Sequence, residues 1–375
     1  MLCFHCTAGL WAAAAVVETR MNRWMCVGGR GRRYGMLAAL LLAIAAPSLG
    51  DGRWAEEDFY NKARLTKPYV VVPGRDLATA DTVIGSVRQY AVTQGDTFLD
   101  LARFYGLGYN ELEQANPGID PWIPGIKATS IILPTAWVLP QVPYEGVVVN
   151  IPEMRLYYFH ASKGGGPQLV TTYPVGLGRD EWRTPKGKFK VQGKTVNPTW
   201  VIPDSIREEH IRERGDSRTL IKGGEPDNPL GKYRIELSMP GYRIHGTDIP
   251  WGVGMQVSHG CVRLYPEDIE ALYPIVPIGA PGEFIYQPVK IGARDGHVYA
   301  EVSPDIYTLM PGMFTEARRI VEQLGWQNAV DWNKLQRVVE EQNGIPVDVT
   351  LGGVPVQPKD GKRGPDVAGS HRDTL

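Results

Sequence analysis

Cysteine is scarce in this chain of 375 residues. It has four, and three of them (Cys3, Cys6 and Cys26) fall within the first thirty positions. Beyond those, only Cys261 remains, so no internal disulfide can staple the rest of the chain. An excess of one charge is also missing. Lys and Arg total 40 and Asp and Glu total 41, a net charge of −1, which leaves no electrostatic footprint for a nucleic-acid partner. Long apolar runs are limited to Met36–Ala46, and eleven residues exclude a multi-span membrane protein. Internal repeats and a phosphate-binding glycine loop are lacking as well.

The one apolar run follows Arg30, Arg32 and Arg33 and precedes small residues. That order is the signature of a secretory signal, expected over residues 1–50 with cleavage between Ala46 and Gly50; an uncleaved anchor is the alternative. Its removal would leave an acidic exported chain with Cys261 as its only thiol. A lone thiol in an oxidising compartment is a liability unless it is buried or used.

What is present points to folded domains. Apolar residues make up 43 %, with 10 Trp and 17 Tyr, while 43 Gly and 30 Pro punctuate many short segments. Residues 51–88 read as a lead-in with an extended stretch at Tyr69–Val72. From 89 to 134 the pattern is strand, helix, helix, strand. Gln89–Val92 alternates, Gly95-Asp96-Thr97 supplies a turn and a helix N-cap, and Phe98, Leu101, Ala102 and Tyr105 recur at helical spacing. A second helix is expected from Tyr109 to Ala115, and Ile131-Ile132-Leu133 forms a strand stopped by Pro134.

Residues 143–290 read as mainly β: a sandwich or small barrel with one short helix, Pro266–Tyr273. Its strands are expected at Gly146–Asn150, Met154–Phe159, Leu169–Val175, Gly187–Val191, Tyr233–Leu237 and Glu283–Val289. A mixed α/β segment spans 291–351, with a strand at Val298–Val302 and helices at Phe314–Leu324 and Trp332–Gln342. The tail 352–375 is polar and rich in Gly and Pro, and is expected to be disordered.

Chemistry concentrates around Cys261, in Ser258-His259-Gly260-Cys261-Val262-Arg263, with His245-Gly246-Thr247 upstream. A cysteine acts as a nucleophile only as thiolate, and its free pKa of about 8.5 calls for assistance. His259 at i−2, or His245 approaching across a sheet, is a base for it. Gly260 leaves backbone beside Cys261 bare, so amide groups there can face a developing oxyanion. Arg263 can fork onto a carboxylate. Three blander readings stand beside this one. Cys261, His259 and His245 would supply three ligands of a structural zinc site. Either histidine can be a satisfied core residue. Arg263 can be structural, paired with Asp248, Glu267 or Asp268.

Two resemblances bear on these choices. Tyr90-Ala91-Val92, Gly95-Asp96-Thr97, Leu101-Ala102, Tyr105, Leu112, Asn116 and Ile132-Leu133-Pro134 resemble the LysM module, which implies binding to the glycan of peptidoglycan. The pair His245-Gly246-Thr247 and Ser258-His259-Gly260-Cys261-Val262-Arg263 resembles the L,D-transpeptidase signature over roughly 143–287. That resemblance implies Cys261 as nucleophile and His245 as general base, oriented by the Gly246 carbonyl. The N–H groups of Gly260 and Cys261 would form the oxyanion hole. His259 and Arg263 would meet the substrate, and Ser258 would hold the loop. The implied partners are peptidoglycan glycan and its tetrapeptide stems, with an envelope lipoprotein as one acyl acceptor. No cofactor and no metal is called for, and the implied place is the periplasm or cell envelope.

Overall fold

The computed structural model describes residues 67–162 and 166–356. The expected signal segment and the tail beyond 356 lie outside the described residues.

The expected lead-in is divided among three neighbours. Strand β1 (Tyr69–Val71) adds to the edge of the large central sheet, and β2 (Val83–Gly85) is a separate short strand. Then β3 (Arg88–Ala91), α1 (Phe98–Tyr105), α2 (Tyr109–Ala115) and β4 (Ser130–Leu133) form a βααβ unit whose two strands pair antiparallel. Local chemistry explains its turns. Asp96 Oδ2 accepts from Thr93 N, Thr93 Oγ1 and the Tyr90 hydroxyl, closing the turn after β3. Thr97 Oγ1 caps α1 by accepting from Asp100 N at 3.2 Å. The Asn116 amide donates to the Leu112 and Ile132 carbonyls and accepts from Ile132 N, which ties the end of α2 to β4. Strand β5 (Ala136–Val138) returns to pair with β2.

The central domain follows. Its strands are β6 (Gly146–Asn150), β7 (Arg155–Phe159), β8 (Gln168–Pro174), β9 (Leu177–Gly178), β10 (Gly187–Val196), β11 (Trp200–Val201), β12 (Leu220–Ile221), β13 (Tyr233–Leu237), β14 (Arg243–His245), β15 (Gln256–Ser258), β16 (Val262–Arg263) and β17 (Pro281–Ile285). Helix α3 (Asp204–Arg214) lies between β11 and β12, and α4 (Pro266–Ile275) follows β16. Nine strands make one sheet in the order β1-β8-β7-β6-β17-β10-β13-β14-β16.

Strands β6 and β7 are buried along their whole length because both faces of the sheet are covered. Val147, Val149, Leu156 and Tyr158 face the central core with Phe189, Ile235, Ile244 and Ile269. Val148, Tyr157 and Phe159 face the other way, into a core shared with Phe98, Leu101 and Leu112 of the βααβ unit. Alternate residues thus serve two cores.

The last segment contains β18 (Val289–Arg294), β19 (His297–Val302), α5 (Met313–Leu324), α6 (Trp332–Glu341) and β20 (Val347–Asp348). Its core takes Ile291, Val298, Ala300, Val321 and Leu335, and also Leu77 and Ala80 from the amino-terminal end. Thr82 N donates to the Ala293 carbonyl at 2.7 Å, and Trp326 Nε1 to the Arg75 carbonyl at 2.8 Å. The two ends of the described chain therefore share one hydrophobic centre.

Three titratable side chains are buried where these parts meet. Lys290 Nζ lies 2.5 Å from Glu153 Oε2 and 2.8 Å from Glu301 Oε1, with the Tyr157 hydroxyl at 3.2 Å. Nearby, buried Arg155 donates to Glu111 of α2 at 2.6 Å and lies over the Trp137 ring.

Candidate active site

The edge of the sheet brings the two sequence motifs together. Strand β14 pairs in parallel with β16, setting His245 opposite Arg263, and Leu264 N donates to the His245 carbonyl at 2.9 Å. Cys261 occupies the turn between β15 and β16, immediately before Val262.

His245 is buried, and its Nδ1 lies 2.7 Å from the Gly246 carbonyl. A carbonyl only accepts, so Nδ1 carries the proton and Nε2 keeps its lone pair. Burial, with Arg263, Arg243 and Arg234 close by, pushes the imidazole pKa down to about 3. His245 is thus neutral at neutral pH.

The Cys261 thiol is pushed above its ordinary value by burial, while Arg243 and Arg263 pull the other way. Among the described residues the thiol donates to the Gly241 carbonyl, at 3.7 Å, and not to His245. Resting Cys261 is therefore a thiol, parked against the 239–242 loop.

Ser258 holds the turn. Its Oγ donates to the Cys261 carbonyl at 2.6 Å and accepts from Gly260 N at 3.1 Å. This corrects the expectation that the Gly260 N–H faces an oxyanion, because Ser258 already takes that donor. Among the described residues the Cys261 N–H has no such partner and is the donor left in the turn. Gly260 has φ +101°, and a Cβ there would meet the Tyr242 ring at 2.9 Å, so glycine is required.

His259 sits in a charged cluster. Its Nε2 is 2.7 Å from Arg179 Nη2 and 3.1 Å from Glu209 Oε2, and its ring packs against Trp182. Burial lowers its pKa. Of the three acids considered for Arg263, Asp248 is the one whose charge acts on it. Glu267 instead makes two hydrogen bonds to Arg103 of α1, each 3.0 Å. Among the described residues, neither the buried Arg263 Nε nor the buried Asp248 Oδ1 has a hydrogen-bond partner. No group of three or more His, Cys, Asp or Glu gathers at metal-ligand spacing among the described residues.

Sequence reasoning missed several neighbours. Arg243 stands two residues before His245 on β14, and the two-residue period of a strand was an available signal. Arg179, Trp182, Thr184 and Glu209 come from distant segments and carry no local signal.

Residues 145–291 match the family model of the YkuD L,D-transpeptidase catalytic domain. The chain is 34 % identical over 268 residues to "Probable L,D-transpeptidase YcfS" of Escherichia coli K12, covering 68 % of this chain and 81 % of that protein. The chain belongs to the L,D-transpeptidase family. Its similarity to "Probable L,D-transpeptidase ErfK/SrfK" of Salmonella typhimurium is 32 % over 280 residues, covering 72 % and 88 %. The solved catalytic domain of the E. faecium L,D-transpeptidase overlaps 39 % of this chain and 100 % of its own, at 20 % identity and TM-score 0.28. The L,D-transpeptidase match over 145–291 contains both motifs and the parallel β14–β16 pair.

Proposed function

We propose that this L,D-transpeptidase transfers the acyl part of a peptidoglycan tetrapeptide stem from Cys261 to an amine. The observation that carries this reading is the His245–Gly246 bond. It fixes a neutral imidazole with a free Nε2, which is what a general base needs.

In the proposed reaction His245 takes the Cys261 proton and the sulfur attacks the carbonyl carbon of the stem's third residue. The Cys261 N–H receives the oxyanion. The bond to the terminal D-Ala breaks, its amine leaves with the proton from His245, and a thioester remains. An acceptor amine then attacks the thioester and gives its proton to His245, releasing Cys261. A stem amine as acceptor makes a cross-link, and a lysine of an envelope lipoprotein makes a protein anchor. Water would make the enzyme an L,D-carboxypeptidase. The unsatisfied Arg263 Nε and Asp248 Oδ1 support a charged ligand beside them, since buried polar atoms seldom stay unpaired. Ser258 and His259 shape this pocket. The βααβ unit is read as a LysM module gripping glycan, and the chain as exported to the periplasm.

Intact-mass spectrometry with a disaccharide-tetrapeptide tests the donor half. The expected result is a thioester on the wild-type protein with loss of D-Ala, and none on Cys261→Ala. A folded protein that binds peptidoglycan but forms no thioester would favour a purely binding role.

A further inference from the structure

The Gly260–Cys261 peptide is held from a direction the sequence motif does not reveal. Its carbonyl accepts from Thr184 Oγ1 at 3.0 Å. Thr184 is buried, and the same Oγ1 accepts from Gly178 N at 3.1 Å. The Gly178 carbonyl in turn accepts from the Tyr307 hydroxyl at 2.6 Å, and that hydroxyl accepts from Thr184 N at 3.3 Å. Tyr307 lies beyond β19, outside the region matched to the family. It is itself fixed: its N donates to the Tyr286 hydroxyl at 2.8 Å, and Tyr286 donates to Asp305. Arg183 closes the arrangement by donating to the Tyr307 carbonyl and lying over its ring.

Packing leaves this group no slack. A Cβ on Gly178 would come within 3.0 Å of Gly260 Cα and 2.0 Å of the Trp182 carbonyl. The Tyr242 ring closes the other side of Gly260.

A trans peptide is planar, and its N–H points opposite to its C=O. Fixing the Gly260 carbonyl therefore fixes the direction of the Cys261 N–H. Ser258 pins the peptide groups on either side but not this one. We propose that Thr184 is a positioning residue for the reaction, aiming the Cys261 N–H at the oxyanion, and that Tyr307 holds Thr184 in register from the carboxy-terminal segment. The inference rests on the reading of Cys261 as nucleophile.

The test compares wild type, Thr184→Val, Thr184→Ser and Tyr307→Phe in the full chain. Two rates are measured on each: thioester formation with the disaccharide-tetrapeptide, and alkylation of Cys261 by iodoacetamide, which forms no oxyanion. A donor misplaced by an ångström costs about 100-fold. Thr184→Val should acylate about 10- to 100-fold more slowly at saturating substrate, with KM and alkylation unchanged. Thr184→Ser should recover most of the rate. Tyr307→Phe should fall in the same direction by less, and it serves as the test if Thr184→Val fails to fold. Acylation of Thr184→Val at the wild-type rate, or alkylation falling in step with acylation, would overturn the inference. Absence of thioester on wild type would instead remove the nucleophile reading beneath it.

Discussion

At Cys261 and His245, burial works on two groups in opposite senses. It keeps the imidazole neutral down to a pKa of about 3 and holds the thiol protonated beyond the ordinary thiol range. The resting pair is therefore neutral, and charge separates only when substrate is attacked. A raised thiol pKa means that thiolate accumulates only as pH climbs past the free-cysteine value of about 8.5. Iodoacetamide alkylation of Cys261 should accordingly rise through a midpoint above that of a free cysteine, about 8.5; a midpoint near neutrality would mean a preformed thiolate–imidazolium pair. The motif residues at this scale were legible because they are adjacent in sequence and chemically distinctive. The fate of the Gly260 N–H was not, since it depends on the rotamer of Ser258, two positions away. Nor was the choice of Asp248 over Glu267 near Arg263, because the competing Arg103 lies on another part of the chain.

Among the elements, the contact between α2 and the loop ahead of β15 matters most. Tyr109 N donates to the Val253 carbonyl at 3.2 Å and Asn110 N to the Gly254 carbonyl at 3.3 Å. Gly254 has φ +82°, and a Cβ there would fall 2.3 Å from Gly108 Cα and from Tyr109 N. Left-handed backbone alone costs a non-glycine residue roughly 1–2 kcal/mol. Gly254→Ala adds a backbone clash, so it should destabilise the protein by more than about 2 kcal/mol in urea unfolding. An unchanged midpoint would mean that this seam is loose. The strands β6 and β7, the helices α4, α5 and α6 and the βααβ pattern could be read from periodicity and capping. Helix α3 could not. Asp204–Arg214 has only Ile206 and Ile211 as apolar residues and buries neither, so it has no apolar stripe to read. The division of residues 67–88 among three neighbours was also hidden, since it is made by long-range pairings such as Thr82 with Ala293.

Over the whole molecule, the buried Lys290–Glu153–Glu301 cluster joins the central sheet to the carboxy-terminal segment. Glu301 also accepts from Val138 N, in the strand that follows the βααβ unit. Burial and the neighbouring Glu153 raise the Glu301 pKa to about 8, so one carboxyl of the cluster keeps its proton at neutral pH. Removing the cation would leave these acids buried without it. Lys290→Met should cost about 3–5 kcal/mol in unfolding free energy. Adding Glu153→Gln and Glu301→Gln should recover part of that loss, and no recovery would place the cost in packing. The backbone bonds from α2 to the catalytic loop have a consequence for how the wall is stitched. A grip on a flexible leash sweeps out a volume, but a grip seated by main-chain bonds keeps one bearing and one distance. On the proposed grip, Cys261 works at a constant offset from whichever glycan strand is held. On that proposal, strands presented in the wrong orientation would not bring their stems within reach, and the enzyme would act as a gauge as well as a blade.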